Sequence, residues 1–356
     1  MAQSNKSCLL YGAGKVRFED RPVPVIEDPH DILIRISYVG VCGSDVHFWN
    51  HGGVTRKVSE EEPLVMGHEA SGIVHSVGSA VASVKPGDRV AIEPGFPCRR
   101  CKRCKAGKYN LCPKMHFAAD PPRAHGALCR LFKIPEDFAY KIPDSLSLQE
   151  AVLVEPLSVA VHGVRLSELK LGQSVLVLGS GTIGLLAAAT AKAFGARAVF
   201  IADINQAKLD FAKGFVDCTT FVPSLDATPE KDAQRFCKEA DLEDGVDVVL
   251  ECSGVEASAQ TGIFASAAGA IFVQIGMGKA VQSLPILAML EKETVLKTSF
   301  RYGSGDYDVA VDLLSSRKVS VKSLISSEVP FERASEAWER TQKGEGIKNL
   351  IQGVQD

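Results

Sequence analysis

Ser174-Val175-Leu176-Val177-Leu178-Gly179-Ser180-Gly181-Thr182-Ile183-Gly184 decides the fold of the second half of this chain. Its opening run is continuously apolar, the pattern of a strand buried on both faces. The glycines then read G-x-G-x-x-G, followed by an Ala-rich, helix-like stretch to Phe194 and a further strand-like run, Ala198-Val199-Phe200-Ile201-Ala202-Asp203. Gly179 permits a tight turn, Gly181 lets a ligand approach the backbone, and Gly184 lets helix and strand pack closely. An acid, Asp203, ends the next strand 19 residues beyond Gly184. Strand, glycines, helix and acid in this order form the dinucleotide fingerprint, with the pyrophosphate resting on free N–H groups at the positive end of the helix. The Asp203 carboxylate suits ribose hydroxyls and repels a 2′-phosphate, so NAD is expected rather than NADP.

Working outward, the alternation continues. Gln206 to Lys213 is helix-like, and Val246-Asp247-Val248-Val249-Leu250-Glu251 and Ala270-Ile271-Phe272-Val273-Gln274-Ile275-Gly276 repeat the apolar strand theme. Strands alternating with helices predict a parallel, doubly wound (Rossmann) α/β sheet. Residues 1 to about 155 have another texture: short runs such as Ile32-Leu33-Ile34-Arg35-Ile36, Gly72-Ile73-Val74-His75-Ser76-Val77 and Asp88-Arg89-Val90-Ala91-Ile92, broken by turns such as Lys85-Pro86-Gly87-Asp88. These predict an antiparallel, barrel-like domain. From about 295 one more strand-like run is followed by amphipathic helices around Val309 to Leu314 and Ala334 to Trp338. A length of 356 residues matches two domains.

The composition narrows the function. Hydrophobic residues at 46% and charged residues at 23% exclude disorder as the main state. A formal charge of -3 supplies no overall field for nucleic acid or acidic lipid, so neither a nucleic-acid partner nor a membrane is expected. The apolar run Gly184 to Phe194 is broken by Lys192 and is too short for a membrane span. Met1 to Leu10 does not read as a secretory leader, and the chain closes in Val354-Gln355-Asp356 without a targeting signal, so a cytoplasmic location is expected. Ten cysteines in that compartment stay reduced, which points the clustered ones toward metal.

Cys98, Cys101, Cys104 and Cys112 form C-x2-C-x2-C-x7-C, the spacing of a closed, tetrahedral structural Zn²⁺ site. Four thiolates around Zn²⁺ leave excess negative charge, and Arg99, Arg100, Lys102, Arg103 and Lys105 stand among them to offset it. A second set is dispersed: Cys42 in Val41-Cys42-Gly43-Ser44-Asp45, His68 and Glu69 in Gly67-His68-Glu69-Ala70-Ser71-Gly72, and Glu155 in Leu153-Val154-Glu155-Pro156-Leu157. One thiolate, one imidazole and one or two carboxylates suit a catalytic Zn²⁺ with an open position. A plain buried thiol and a surface His-Glu pair are the bland alternatives, and spacing alone does not decide between them. The remaining cysteines read as plain thiols.

Together these motifs resemble the zinc-containing medium-chain dehydrogenase/reductase family over essentially the whole chain. Gly67-His68-Glu69-x-x-Gly72-x5-Gly78-x2-Val81 matches that family's zinc pattern. Cys42-Gly43-Ser44-Asp45-Val46-His47, Ile92-Glu93-Pro94-Gly95, Glu155-Pro156-Leu157-Ser158-Val159 and Phe300-Arg301-Tyr302 are similar to the polyol (sorbitol, xylitol and L-arabinitol) dehydrogenases. Pro97-Cys98-Arg99-Arg100-Cys101, the stretch Cys104 to Cys112, and Arg301-Tyr302-Gly303-Ser304-Gly305-Asp306-Tyr307 extend the likeness to the fungal xylitol dehydrogenases.

The resemblance implies a GroES-like antiparallel β-barrel catalytic domain (residues 1–157 and 295–356) holding both zinc sites, and a Rossmann NAD-binding domain (158–294). It implies two Zn²⁺ per chain, with Cys42, His68 and Glu69 as ligands of the catalytic ion and Glu155 as a fourth, direct or through water. Ser44 and His47 match the family's proton relay. Gly179, Gly181, Ile183, Gly184, Asp203, Lys208, Ile275, Gly276, Met277, Phe300 and Arg301 fall at NAD positions, and Phe48, Arg301 and Tyr302 at substrate positions. The expected reaction is reversible oxidation of xylitol to D-xylulose by a homo-oligomer, dimer or tetramer. Sorbitol or L-arabinitol as preferred substrate is the nearest alternative, and a non-catalytic dinucleotide-binding protein the alternative of another class. Zn²⁺ with Cys42 and Glu69 is formally neutral, and a third anion bound directly would blunt its acidity, so Glu155 is expected to act through water. Two departures lie near the cleft: Phe48 where many sorbitol dehydrogenases carry Tyr, and the wording of Gly52-Gly53-Val54-Thr55-Arg56-Lys57-Val58.

Overall fold

The computed structural model describes residues 4–53, 57–121 and 124–355. Val54, Thr55 and Arg56, within the second departure, lie outside the described residues. The chain divides into two compact units, one formed by residues 1–155 and 303–356 and the other by 156–302.

The first unit is built on a seven-stranded sheet. In spatial order it runs Ala139–Lys141, Arg89–Ile92, Glu69–Val77, Asp31–Gly40, Lys348–Gln352 and Ile325–Val329, with Leu131–Pro135 also paired to Asp31–Gly40. All neighbours are antiparallel except Ile325–Val329 with Lys348–Gln352. The strand Asp31–Gly40 is central because its apolar positions are buried on both faces: Ile32, Ile34, Ile36 and Val39 are each at most 2% exposed. A second sheet of three strands, Val16–Arg21, Asn5–Leu10 and Leu64–Val65, adds Leu9, Leu10 and Cys8 to the same core. Trp338, from the amphipathic helix Ala334–Gln342, closes that core and stacks near Trp49.

The second unit is a six-stranded, fully parallel sheet ordered Thr219–Phe221, Ala198–Ala202, Ser174–Leu178, Val246–Glu251, Ser266–Gln274 and Val295–Thr298. The first strand in sequence lies in the middle and the order reverses beside it, the doubly wound topology with its ligand crevice at the switch point. Val295–Thr298 completes this sheet, so the chain returns to the first unit at Gly303 rather than near 295. The strand Ser266–Gln274 also starts four residues earlier than its apolar run, because Ser266-Ala267-Ala268-Gly269 lacks the large side chains that mark a strand in sequence.

Candidate active site and metal centres

In the first unit, Cys42, His68 and Glu69 place one ligand atom each within 4.8 Å of one another. Cys42 caps the N-terminus of the helix Gly43–His51, two residues beyond the end of the central strand. His68 and Glu69 open the strand Glu69–Val77 after Gly67, which holds φ +86°, a turn that L side chains rarely adopt. His68 and Glu69 are buried, 7% and 1% exposed.

Two residues that motif reading left without a role hold this trio. The Asp45 carboxylate accepts the Cys42 backbone N–H at 2.9 Å through Oδ2, and its Oδ1 faces His68 Nδ1 at 3.5 Å. One buried carboxylate thus stands against two candidate ligands, bonded to the backbone of Cys42 and facing the ring of His68. Burial opposes charge on His68, but the Asp45 and Cys42 charges outweigh it and push the imidazole well above its ordinary value. Asp45 stands three residues after Cys42, the spacing of a helix capping box, so a signal for it existed. Lys348 donates to Glu69 Oε1 at 2.8 Å, to Glu69 Oε2 at 2.7 Å and to the Val41 carbonyl at 3.0 Å. It lies 279 residues from Glu69, and a lone lysine ahead of Asn349-Leu350-Ile351 carries no signal of its partner. The charge count made from sequence alone omitted this cation.

Glu155 is buried in the first turn of the helix Val154–Leu166, and its charge reaches Lys348. It is not one of the three residues drawn into the tight trio. Ser44 and His47 are three apart on the helix Gly43–His51 and therefore share a face, Ser44 half-buried and His47 exposed. Phe48 packs against the core of the first unit.

The four cysteines also converge. Their sulfurs lie within 4.8 Å of one another, with Cys101–Cys104 at 3.4 Å, Cys101–Cys112 at 3.9 Å and Cys98–Cys104 at 4.0 Å. Tetrahedral Zn–S bonds of about 2.3 Å place sulfurs about 3.8 Å apart, so the set fits the ion. Backbone N–H groups of Arg100 and Cys101 hold the Cys98 thiol down at about 6, while burial and its neighbours push Cys104 up to about 12. Four sulfurs this close ionise together only around a dication. The trio fits zinc by its donor chemistry: a cysteine sulfur, an imidazole with a carboxylate behind it, and a buried carboxylate.

In the second unit the three fingerprint glycines behave as their spacing requires. Gly179 holds φ +97°, and a Cβ on Gly184 would lie 1.9 Å from the Gly179 carbonyl oxygen. A Cβ on Gly181 would meet nothing within 4 Å, leaving open space beside the N-terminus of the helix Thr182–Ala193. The Asp203 carboxylate accepts Ser180 N–H and Oγ–H at 2.8 Å each and Asn205 N–H at 2.9 Å, so it pins the glycine turn. Ile183 is half-buried in that helix, and Lys208 lies in the first turn of Gln206–Phe215. Ile275 and Gly276 both donate to the Glu251 carbonyl at 2.8 Å, and Met277 beyond them is 80% exposed. Glu251, read in the sequence as the end of a strand and given no role, is fully buried and pins this edge. Its carboxylate accepts Ser253 N–H and Oγ–H, Gly254 N–H at 2.8 Å and Gln274 Nε2–H at 2.6 Å. Arg301 adopts φ 57°, a strained region for a non-glycine residue, and its guanidinium lies 4.8 Å from the Phe300 ring. Tyr302 is buried.

The chain is similar to known proteins along its length. Residues 28–144 match the alcohol dehydrogenase GroES-like domain, and residues 182–316 match the zinc-binding dehydrogenase domain. The chain is 52% identical to D-xylulose reductase A of Aspergillus niger over 98% of its own length and 97% of that protein's. It is 51% identical to a probable D-xylulose reductase A of Aspergillus fumigatus, covering 99% of this chain and 98% of the relative. Among solved structures, an Escherichia coli oxidoreductase/dehydrogenase of unknown specificity superposes with a TM-score of 0.92 at 31% identity, covering 99% of this chain and 100% of that one. The 2R,3R-butanediol dehydrogenase of Bacillus subtilis superposes with a TM-score of 0.87 at 26% identity, covering 99% and 100%. With both of its domains matched and half of its residues shared with reductases along their full length, the chain belongs to the zinc-binding dehydrogenase family.

Proposed function

We propose that the chain is a zinc- and NAD-dependent polyol dehydrogenase that interconverts xylitol and D-xylulose. The observation that carries this reading is the convergence of Cys42, His68 and Glu69, a three-donor set that leaves an ion one open position. The curated relatives that share half of its residues are named D-xylulose reductases, which supports the choice of substrate.

Zinc held there supplies Lewis acidity that favours loss of a proton from a substrate hydroxyl, and NAD supplies the hydride acceptor. The chain's own residues do the rest. Ser44 and then His47 pass the proton along one face of their helix toward solvent. Glu155 contributes through a water, and Phe48, Arg301 and Tyr302 contact the polyol. The turn Gly179 to Gly184 takes the pyrophosphate, Asp203 the adenosine ribose, and Ile183, Lys208, Ile275, Gly276, Met277, Phe300 and Arg301 the remainder of NAD. Cys98, Cys101, Cys104 and Cys112 hold a second, structural zinc.

Two further readings complete the proposal. Among the described residues no helix is long and apolar enough to cross a membrane, in keeping with a cytoplasmic enzyme. The sheet of the second unit ends in Val295–Thr298, an edge with Val295 and Leu296 45% and 40% exposed. The helix Ile286–Glu291 adds Leu287 and Leu290, both 69% exposed. Such an edge is suited to pairing with a second copy in a homo-oligomer.

The test is NADH appearance over a panel of polyols, together with metal content. Xylitol should give the highest kcat/KM, with NAD preferred to NADP and two zinc ions per chain. Equal or higher efficiency on L-arabinitol or sorbitol would reassign the substrate; a single zinc would remove one of the two metal sites.

A further inference from the structure

The two strands that flank the carboxyl end of Asp31–Gly40 meet at one residue. Glu69 pairs with Gly40 from one side and Leu350 pairs with Gly40 from the other. Lys348, two residues before Leu350, projects from the same face of its strand. Gly40 has no side chain, and a Cβ there would fall 2.2 Å from Glu69 Oε2. Through this notch the Glu69 carboxylate and the Lys348 ammonium reach each other across the central strand. Their side chains are 2% and 3% exposed.

The three ammonium hydrogens match the three acceptors that surround Lys348: both oxygens of Glu69, and the carbonyl of Val41 beside Cys42. A carboxylate held by both oxygens in a dry site shares its lone pairs between its lysine and any metal it ligates. Formal charges agree. A dication with Cys42, Glu69 and Glu155 would sum to one negative charge, and the buried Asp45 carboxylate adds another, a poor environment for an electrophile; Lys348 offsets one of the two.

We propose that Lys348 is a positioning residue of the catalytic centre, a counter-ligand that competes with zinc for Glu69 and keeps that bond weak enough to open. This rests on the trio being the catalytic zinc site. With Lys348 in place, Glu69 released from the ion meets a fixed cation instead of becoming an unpaired buried charge. The ion can then exchange a protein ligand for a substrate oxygen without the site unravelling. The proposal makes a prediction of sign. Removing the lysine charge leaves Glu69 to the metal alone and penalises the metal-free state, so zinc should be held more tightly. A lysine that merely supported the fold would, when removed, loosen zinc.

The experiment follows zinc release from the purified enzyme into excess chromogenic chelator. Cys42→Ala identifies the phase that belongs to the trio, because that variant lacks it, and the four-cysteine phase serves as the control for folding. In Lys348→Met the trio phase should slow about tenfold, the low end of the effect of groups behind metal ligands, while the other phase is unchanged. Lys348→Gln keeps hydrogen-bond donors toward Glu69 and Val41 and should show the same sign; it decides the matter if the methionine variant does not fold. Trio release unchanged or faster than wild type overturns the proposal with the zinc reading intact. Wild-type protein with a single zinc and no phase assignable to Cys42 overturns that reading and the proposal with it.

Discussion

Glu93 shows what a single buried carboxylate does in this fold. It is 1% exposed and accepts hydrogen bonds from Tyr109 at 2.5 Å and Tyr140 at 2.9 Å. Burial nevertheless wins and raises its pKa from 4.5 to about 7. The folded chain therefore holds a proton that the unfolded chain releases between those values. Its penalty on stability sets in above about pH 4.5 and is complete above about pH 7. Glu93→Gln carries no such penalty. Thermal unfolding should show the variant more stable than wild type at pH 8.5, by at most about 2 to 3 kcal/mol, with the gain gone below pH 4.5. A variant less stable than wild type at pH 8.5 would mean that the ionised carboxylate is what the two tyrosines need.

At the scale of elements, the segment from Cys98 to Cys112 has almost no structure of its own. It holds a four-residue helix with no buried residue, Lys102–Lys105, and a single 3-10 turn, Tyr109–Leu111. Such a loop has too little core to stay folded and depends on its metal. Cys101→Ala should therefore lower zinc from two ions to one and the melting temperature by several degrees. It should also expose the bonds after Arg100, Lys102, Arg103 and Lys105 to trypsin, seen as two fragments on a denaturing gel; resistance equal to wild type would deny the ion its structural role. This element was legible in the sequence because its ligands are close together and chemically alike. The glycine turn was legible for a similar reason: its residues are needed by backbone geometry within one turn of helix. The helices Gly43–His51 and Val154–Leu166 were not picked out, although they carry Ser44, His47 and Glu155. Tertiary packing sets their extent, and a small polar or mixed segment leaves little period to read. Lys348 was illegible for the deepest reason, since its role exists only once three distant strands lie side by side.

For the whole molecule, the exposed edge of the second unit sets the expected assembly. Placing a charge in the edge strand with Leu296→Lys, or on the neighbouring helix with Leu290→Glu, should halve the mass measured by light scattering or reduce it further. NAD binding should be retained, because neither residue lies at the glycine turn. Unchanged mass in both variants would direct attention to another surface. The first unit is assembled from two separated stretches, residues 1–155 and 303–356. Its central strand therefore stays without one neighbour until Lys348–Gln352 has been made. On the ribosome, Glu69 is synthesised before the second unit and its cation after it. Vectorial synthesis thus leaves the Glu69 carboxylate without its fixed cation until the second stretch of the first unit has been made.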